Sequence, residues 1–221
     1  MKYIIISKKK WDKNNFRELN QNFLFLKNIN LKKIKKINPK IIFFIHWSKI
    51  IKKNLYNKYL CIQFHSSNLP EGRGGSPIQH QILSIAKKTK LTAFKVSNQL
   101  DAGPFCLKKN LSLKGTAEEI LKRMELTSIK MIKKISKTKK LKFKKQIGKT
   151  TLFKRRKPSE SQIKFKKSNS IEKLYDFLRM LDAPDYPKAF IELNKFIFTF
   201  QNIKIKKKII NATVNIKTNE K

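Results

Sequence analysis

Short apolar runs separated by polar breaks recur along the first 140 residues and set the framework of the chain. Met1–Ser7 predicts a short buried strand, apolar at Tyr3–Ile6. Residues 12–37 have mixed spacing and read as partly helical, up to the break at Asn38-Pro39. Ile41–Ile45 then reads as a second strand, apolar throughout in the manner of a parallel sheet covered on both faces. Leu60–Phe64 is a third apolar run and ends on His65. Pro77 is placed to open a helix through Ala86, since proline suits the first helical position. Leu91–Val96 predicts a strand, and Phe105–Leu107 and Leu111–Leu113 two further extended pieces. Thr116-Ala117-Glu118-Glu119 is a capping box that opens a helix to about Ile135. Ser136–Lys149 is a charged connector with little periodicity.

Beyond it the texture changes. Phe153–Pro158 is basic, Ile171–Leu181 is an amphipathic helix, and Phe190–Phe200 and Ile203–Ile216 alternate like the two strands of a hairpin. Strands alternating with helices predict a three-layer α/β domain with an open, mostly parallel sheet. A small α+β or β appendage follows. The division falls near residues 1–150 and 151–221.

Composition alters this picture in two respects. The 53 Lys+Arg against 14 Asp+Glu give a net charge of +39, which invites a nucleic-acid reading because neutralised phosphates release counterions. Yet 47 of the 53 are Lys and only 6 are Arg, the residue suited to bidentate phosphate contacts. The lysines are spread from Lys8–Lys10 to Lys204–Lys208, and 29 Ile and 18 Asn accompany them. AT-biased codons would produce that combination, so a solvated Lys-rich surface is the plainer account. Attraction of anionic substrates by the general field survives either way. The second respect is compartment. Two cysteines, Cys61 and Cys106, form neither a disulfide framework nor a zinc motif, and the longest strongly apolar stretch, Ile41–Ile45, is far short of the ~20 residues of a membrane span. The expectation is a soluble protein of the reducing cytoplasm, with no membrane partner and no metal.

Candidate chemistry gathers where strands meet glycine-rich loops. His65 precedes Leu69-Pro70-Glu71-Gly72-Arg73-Gly74-Gly75-Ser76-Pro77, which holds three of the six glycines. Ligands of open α/β sheets bind at the carboxyl ends of strands. Asp101, in Asp101-Ala102-Gly103-Pro104, stands in the equivalent place after Leu91–Val96. A histidine beside a carboxylate is a general-base arrangement. Gln63 shares a strand face with His65 and carries a carboxamide able to donate to a developing oxyanion. The plainer readings are a turn-capping Asp101 and a solvent-facing Gln63. Of the other histidines, His46 either lines a pocket after Ile41–Ile45 or caps that strand, and His80 reads as surface helix.

Gln63-Phe64-His65-Ser66-Ser67-Asn68-Leu69-Pro70, Arg73-Gly74, Pro77-Ile78-Gln79 and Leu100-Asp101-Ala102-Gly103 together resemble the formyltransferases that use 10-formyltetrahydrofolate. The family has Asn where Gln63 stands, and Leu where Asn68 stands. Arg155-Arg156-Lys157-Pro158 looks like the linker of its sugar-modifying and methionyl-tRNA branches. Leu174–Phe190, with Arg179 and Pro184-Asp185-Tyr186-Pro187-Lys188-Ala189-Phe190, is similar to the start of their C-terminal domain. The resemblance spans roughly residues 38 to 200. It implies a Rossmann-like sheet of the formyltransferase type, with 10-formyltetrahydrofolate as co-substrate. His65 would be the base, Asp101 its orienting carboxylate and Gln63 the amide donor. His46, Trp47, Ser48, Gly74, Gly75, Leu100 and Gly103 would bind the folate. Ser67, Arg73, Pro77, Arg155 and Arg156 would bind the acceptor. The compact body looks closest to the sugar N-formyltransferase branch, so the acceptor expected is an amino sugar carried on a nucleotide. The alternatives are methionyl-tRNA as acceptor, or a degenerate basic RNA-binding module without catalysis. A homodimer is allowed by this reading.

Overall fold

The structure, a computed structural model, describes residues 2–7, 19, 21–165 and 170–218. The lysines at 8–10 and the helix expected over 12–18 and at 20 lie outside the described residues. Contacts divide the chain into two compact units. The first comprises Met1–Gly75, Thr89–Leu111 and Arg123–Phe153, and the second Ser76–Lys88, Ser112–Lys122 and Lys154–Lys221.

The first unit is built on a six-stranded sheet. In chain order its strands are β1 (Tyr3–Ile6), β2 (Phe23–Leu26), β3 (Ile41–Phe44), β4 (Leu60–His65), β6 (Lys88–Lys95) and β7 (Phe105–Ser112). The two-residue strand β5 (Arg73–Gly74) falls between and pairs in parallel with β8 (Leu152–Phe153). Spatial order is β2-β1-β3-β4-β6-β7. The first four strands are parallel to one another, and β6 runs antiparallel to β4.

Uninterrupted apolar runs are what a doubly covered sheet requires. Tyr3, Ile5, Ile41, Phe43, Ile62 and Phe64 share one face, packed with Met124, Ile129, Ile132 and Ile135. Those four lie on α4 (Ala117–Lys137). Ile4, Ile6, Ile42, Phe44 and Cys61 share the opposite face with Ile34 and Leu55. Ile34 lies on α1 (Leu31–Ile37) and Leu55 on the short α2 (Lys53–Tyr56). Burying each such side chain contributes about 1.5–3 kcal/mol relative to exposure. The capping box is present: Glu119 N donates to Thr116 Oγ1 at 3.3 Å, and Thr116 N to Glu119 Oε2 at 2.8 Å.

In the second unit, α3 (Pro77–Leu83) opens on the expected proline, and α5 (Ile171–Arg179) supplies the amphipathic helix. An antiparallel sheet, β9 (Ala189–Leu193), β10 (Phe196–Lys206) and β11 (Ile209–Thr218), completes it. Ile78, Ile82, Leu178, Leu181, Ala189 and Ile203 share its core. Arg179 is buried here, donating through Nη1 to the carbonyls of Leu113 and Gly115, both at 2.7 Å, and through Nε to Asp176 Oδ1 at 2.6 Å. Asp182 accepts from the backbone of Asn202 and Ile203, fixing the kink in β10.

Three expectations need correction. Residues 12–37 contain β2 as well as α1, because Phe23–Leu26 pairs with β1 along a sheet edge. Phe105–Leu107 and Leu111–Leu113 are one strand, β7, since Lys108–Asn110 continue the ladder with polar side chains. The C-terminal hairpin is three strands, turning after Leu193 and after Lys206 rather than near residue 201.

Candidate active site

The sheet itself marks a place for a ligand. β2 and β3 flank β1 on opposite sides, so the strand order reverses at β1 and β3, and open α/β sheets bind ligands outside the carboxyl ends of strands at such a point. His46 and Trp47 follow β3 after Ile45, and His65 closes the adjacent β4. His46 adopts a left-handed backbone, φ 49°. Trp47 is buried edge-on to Phe44, centroids 5.6 Å apart, while Ser48 is exposed. Gln63 is half-buried on the same face as His65, and its Nε2 reaches the Trp47 carbonyl at 3.5 Å. One strand face therefore carries the carboxamide and the imidazole beside the turn after β3.

His65 is 6% exposed and held from both sides. Its Nε2 lies 2.7 Å from the Gly72 carbonyl, and its Nδ1 lies 3.6 Å from Asp101 Oδ2. A carbonyl oxygen only accepts, so Nε2 carries a hydrogen toward Gly72. Asp101 is also buried, 6% exposed, and Oδ2 accepts the Gly74 N–H at 2.9 Å. The carboxylate thus binds the strand carrying Gly74 and faces the imidazole with the same oxygen. The pair can orient a ring and offset a positive charge on it. Proton exchange with a substrate through Nε2 requires that nitrogen to leave Gly72.

Backbone geometry explains the glycines. Gly74 has φ 97°, and a Cβ there would sit 2.4 Å from the Phe153 carbonyl oxygen; at Gly103 it would sit 1.7 Å from the Lys95 carbonyl oxygen. Both positions therefore exclude a side chain, which lets β5 meet β8 and the 101–104 loop lie against the end of β6. Ser67 is 2% exposed, and its Oγ has no hydrogen-bond partner, although its carbonyl accepts from Thr92 Oγ1 at 2.7 Å. A buried hydroxyl of that kind fits a bound polar group, two residues beyond His65.

Arg73 is committed within the protein: its Nε and Nη2 donate to Gln146 Oε1 at 3.1 and 2.7 Å. Gln146 Nε2 in turn donates to the carbonyls of Asp101 and Gly103, both at 2.8 Å. Gly72 N donates to Thr151 Oγ1 at 2.7 Å. Neither Gln146 nor Thr151 stands out in the sequence, where a lone Gln amid lysines gives no periodic signal.

The first unit thus gathers Gln63, His65, Ser67, Arg73, Gly74, Gly75, Asp101 and Gly103 with the 46–48 turn; Leu100 is 61% exposed at the head of its loop. Pro77, Arg155 and Arg156 belong to the second unit. There Arg156 N donates to Ser76 Oγ at 3.2 Å, its guanidinium contacts the Glu160 carbonyl and lies over Phe177, and burial lowers its pKa. Arg155 is exposed. His80 lies half-buried on α3, as a surface helix residue, with Nε2 2.7 Å from the Lys154 carbonyl. Among the described residues no group of three or more His, Cys, Asp or Glu could hold a metal, and no helix is long and apolar enough to cross a membrane.

Comparison with known proteins bears on the fold and the family. The family described as "Formyl transferase" matches residues 6–134, and "Methionyl-tRNA formyltransferase, C-terminal domain" matches residues 158–217. The structure of methionyl-tRNA formyltransferase from Clostridium thermocellum is similar with a TM-score of 0.92 and 39% identity, covering 99% of this chain and 100% of that one. The methionyl-tRNA formyltransferase of Thermodesulfovibrio yellowstonii is 30% identical over 156 residues, 67% of this chain and 50% of its own length. The chain therefore spans about half the length of that curated relative. A sugar N-formyltransferase from Shewanella is similar in fold, TM-score 0.65, at 18% identity over 87% of this chain and 93% of that one. The expected leaning toward the sugar branch is thereby corrected: compactness, which suggested it, is shared with the Clostridium chain. With its matched residues running through the sheet and the His65 and Asp101 loops, the chain belongs to the formyl transferase family.

Proposed function

We propose that this chain transfers a formyl group from 10-formyltetrahydrofolate to the amino group of methionyl-tRNA. The observation that carries formyl transfer is the buried His65–Asp101 pair at the carboxyl end of β4, with Gln63 on the same strand face. Support for the acceptor comes from the likeness along the whole chain to a methionyl-tRNA formyltransferase, C-terminal residues included. A surface of +39 suits a polyanionic acceptor. The nucleotide-linked amino sugar keeps only a likeness of fold.

The folate supplies the activated one-carbon group. With the ring hydrogen on Nδ1, facing Asp101, and Nε2 bare and away from the Gly72 carbonyl, His65 takes a proton from the attacking amine through Nε2 and returns it to the departing nitrogen. Asp101 holds the ring and offsets its charge. The Gln63 amide donates to the oxygen that gains negative charge. The turn at His46, Trp47 and Ser48, together with Gly74, Gly75, Leu100 and Gly103, holds the folate. Ser67 and Arg73 of the first unit, and separately Pro77, Arg155 and Arg156 of the second, are assigned to binding the acceptor. In this reading residues 1–150 carry the chemistry and 151–221 form an appendage that engages the RNA.

The experiment is formylation of methionyl-tRNA by purified protein with 10-formyltetrahydrofolate, with nucleotide-linked amino sugars alongside. Formyl-methionyl-tRNA as the product supports the proposal; formylation of a sugar alone overturns its acceptor.

A further inference from the structure

We propose that Gln146 is a positioning residue of this site: its carboxamide fixes Asp101 against His65 by tying the 101–103 backbone to Arg73. The kinetic arm of this inference rests on the formyl-transfer reading; the geometric arm does not.

A carboxamide has two N–H donors and an oxygen with two lone pairs. At Gln146 all four are used. Nε2 donates to the carbonyls of Asp101 and Gly103, and Oε1 accepts Nε and Nη2 of Arg73. The charge of Arg73 polarises the amide whose hydrogens hold the loop, so the bonds reinforce one another. Arg73 is itself anchored, since its backbone N–H donates to the Thr151 carbonyl at 3.0 Å.

The loop needs such a tie. Asp101 has φ 49°, a left-handed conformation that a non-glycine residue keeps only where its surroundings over-determine it. Its carboxylate makes one further tie to the same strand, accepting the Gly74 N–H next to Arg73. Gln146 and Gly74 therefore pin two parts of one residue, the carbonyl and the carboxylate. With the carbonyl tie removed, the left-handed turn relaxes and the carboxylate leaves its place 3.6 Å from His65 Nδ1.

Two variants of the full chain test this. Gln146→Ala removes the whole carboxamide. Gln146→Glu keeps an acceptor for Arg73, and with it a support for the fold, but sets an oxygen against two carbonyl oxygens. Amide exchange at Gly74 reports the Asp101 carboxylate directly, and thermal unfolding reports the fold. The expected result for Gln146→Glu is an unfolding midpoint within a few degrees of wild type, Gly74 protection reduced at least about tenfold, and kcat reduced about 100-fold, as a displacement near 1 Å produces. KM for the folate donor stays within about twofold, because the 46–48 turn is untouched. Protection of Gly74 retained in both variants overturns the proposal, and so does lost protection with unchanged kcat. If the wild-type chain transfers no formyl group, the functional reading fails separately. Gly74 exchange then decides alone: loss of protection in Gln146→Glu supports the tie, and retention overturns it.

Discussion

The Asp101 carboxylate uses one oxygen, Oδ2, for two neighbours: it accepts the Gly74 N–H at 2.9 Å and stands 3.6 Å from His65 Nδ1. The other ring nitrogen of His65 is engaged by Gly72, 2.7 Å away. Two residues of one glycine-rich segment thus set both sides of the imidazole, Gly72 directly and Gly74 through Asp101. Placement of the imidazole depends on this backbone as much as on the carboxylate.

Asp101→Asn separates charge from shape. The amide oxygen still accepts from Gly74, so the loop keeps its course, but the charge facing the imidazole is gone. The expected loss in kcat is about 10²–10⁴-fold, the range for a general acid–base group, with the unfolding midpoint little changed. Steady-state kinetics beside calorimetry check it.

Gln63→Ala tests the carboxamide that replaces the family's usual Asn. Its bond to the Trp47 carbonyl is long, 3.5 Å, so little stability depends on it. Loss of a donor to a developing negative oxygen is expected to lower kcat by about 10²–10³-fold. Gln63→Asn is expected to retain most of the rate. Comparison of the three proteins under saturating donor decides the matter.

Gly74→Ala strikes the same site through the backbone. The added Cβ meets the Phe153 carbonyl at 2.4 Å with φ at 97°, so β5 must move away from β8. A stability loss of about 1–3 kcal/mol is expected from that strain, measurable by denaturant unfolding, together with a fall in kcat.

How far could these features be read from the chain alone? His65 was legible because it closes an apolar run beside a glycine-rich loop, and Asp101 because it follows a strand and stands two residues before Gly103. The doubly covered strands were legible too, since Ile4–Ile6 and Ile41–Phe44 leave no polar face. Gln146 was not, because it acts across 45 residues of sequence from an aperiodic lysine-rich connector. The second C-terminal turn was hidden differently. Lys207 and Lys208 both adopt positive φ, a turn normally signalled by Asn and Gly, while Asn202, also at positive φ, marks an irregularity inside β10 instead of a turn. Four-residue β2 lacked both a glycine boundary and the length to stand out.

Arg179, part of the C-terminal resemblance, is structural in this molecule. Its buried guanidinium satisfies two carbonyls and Asp176. Arg179→Met leaves all three without their donor, and removing one partner of a buried pair costs about 3–5 kcal/mol. A midpoint lower by roughly 6–12 °C follows for the low end of that cost.

The cysteines give a pH signature. Burial raises the Cys61 thiol to about 12 and Cys106 to about 11, from an ordinary 9.0. Both stay protonated in the folded chain at neutral pH, so iodoacetamide is expected to label them only after denaturation. The unfolded thiols ionise above about pH 9 while the folded ones do not, so the unfolded state binds fewer protons there and stability falls as pH rises past 9. Denaturant midpoints between pH 7 and 10 check the sign.

The most direct measurement is transfer of radiolabelled formyl from 10-formyltetrahydrofolate by the full chain, comparing methionyl-tRNA with nucleotide-linked amino sugars and using His65→Ala as control. Label on methionyl-tRNA, lost by at least about 100-fold in the control, is the result this account requires. Label on an amino sugar alone, or transfer undiminished in His65→Ala, contradicts it.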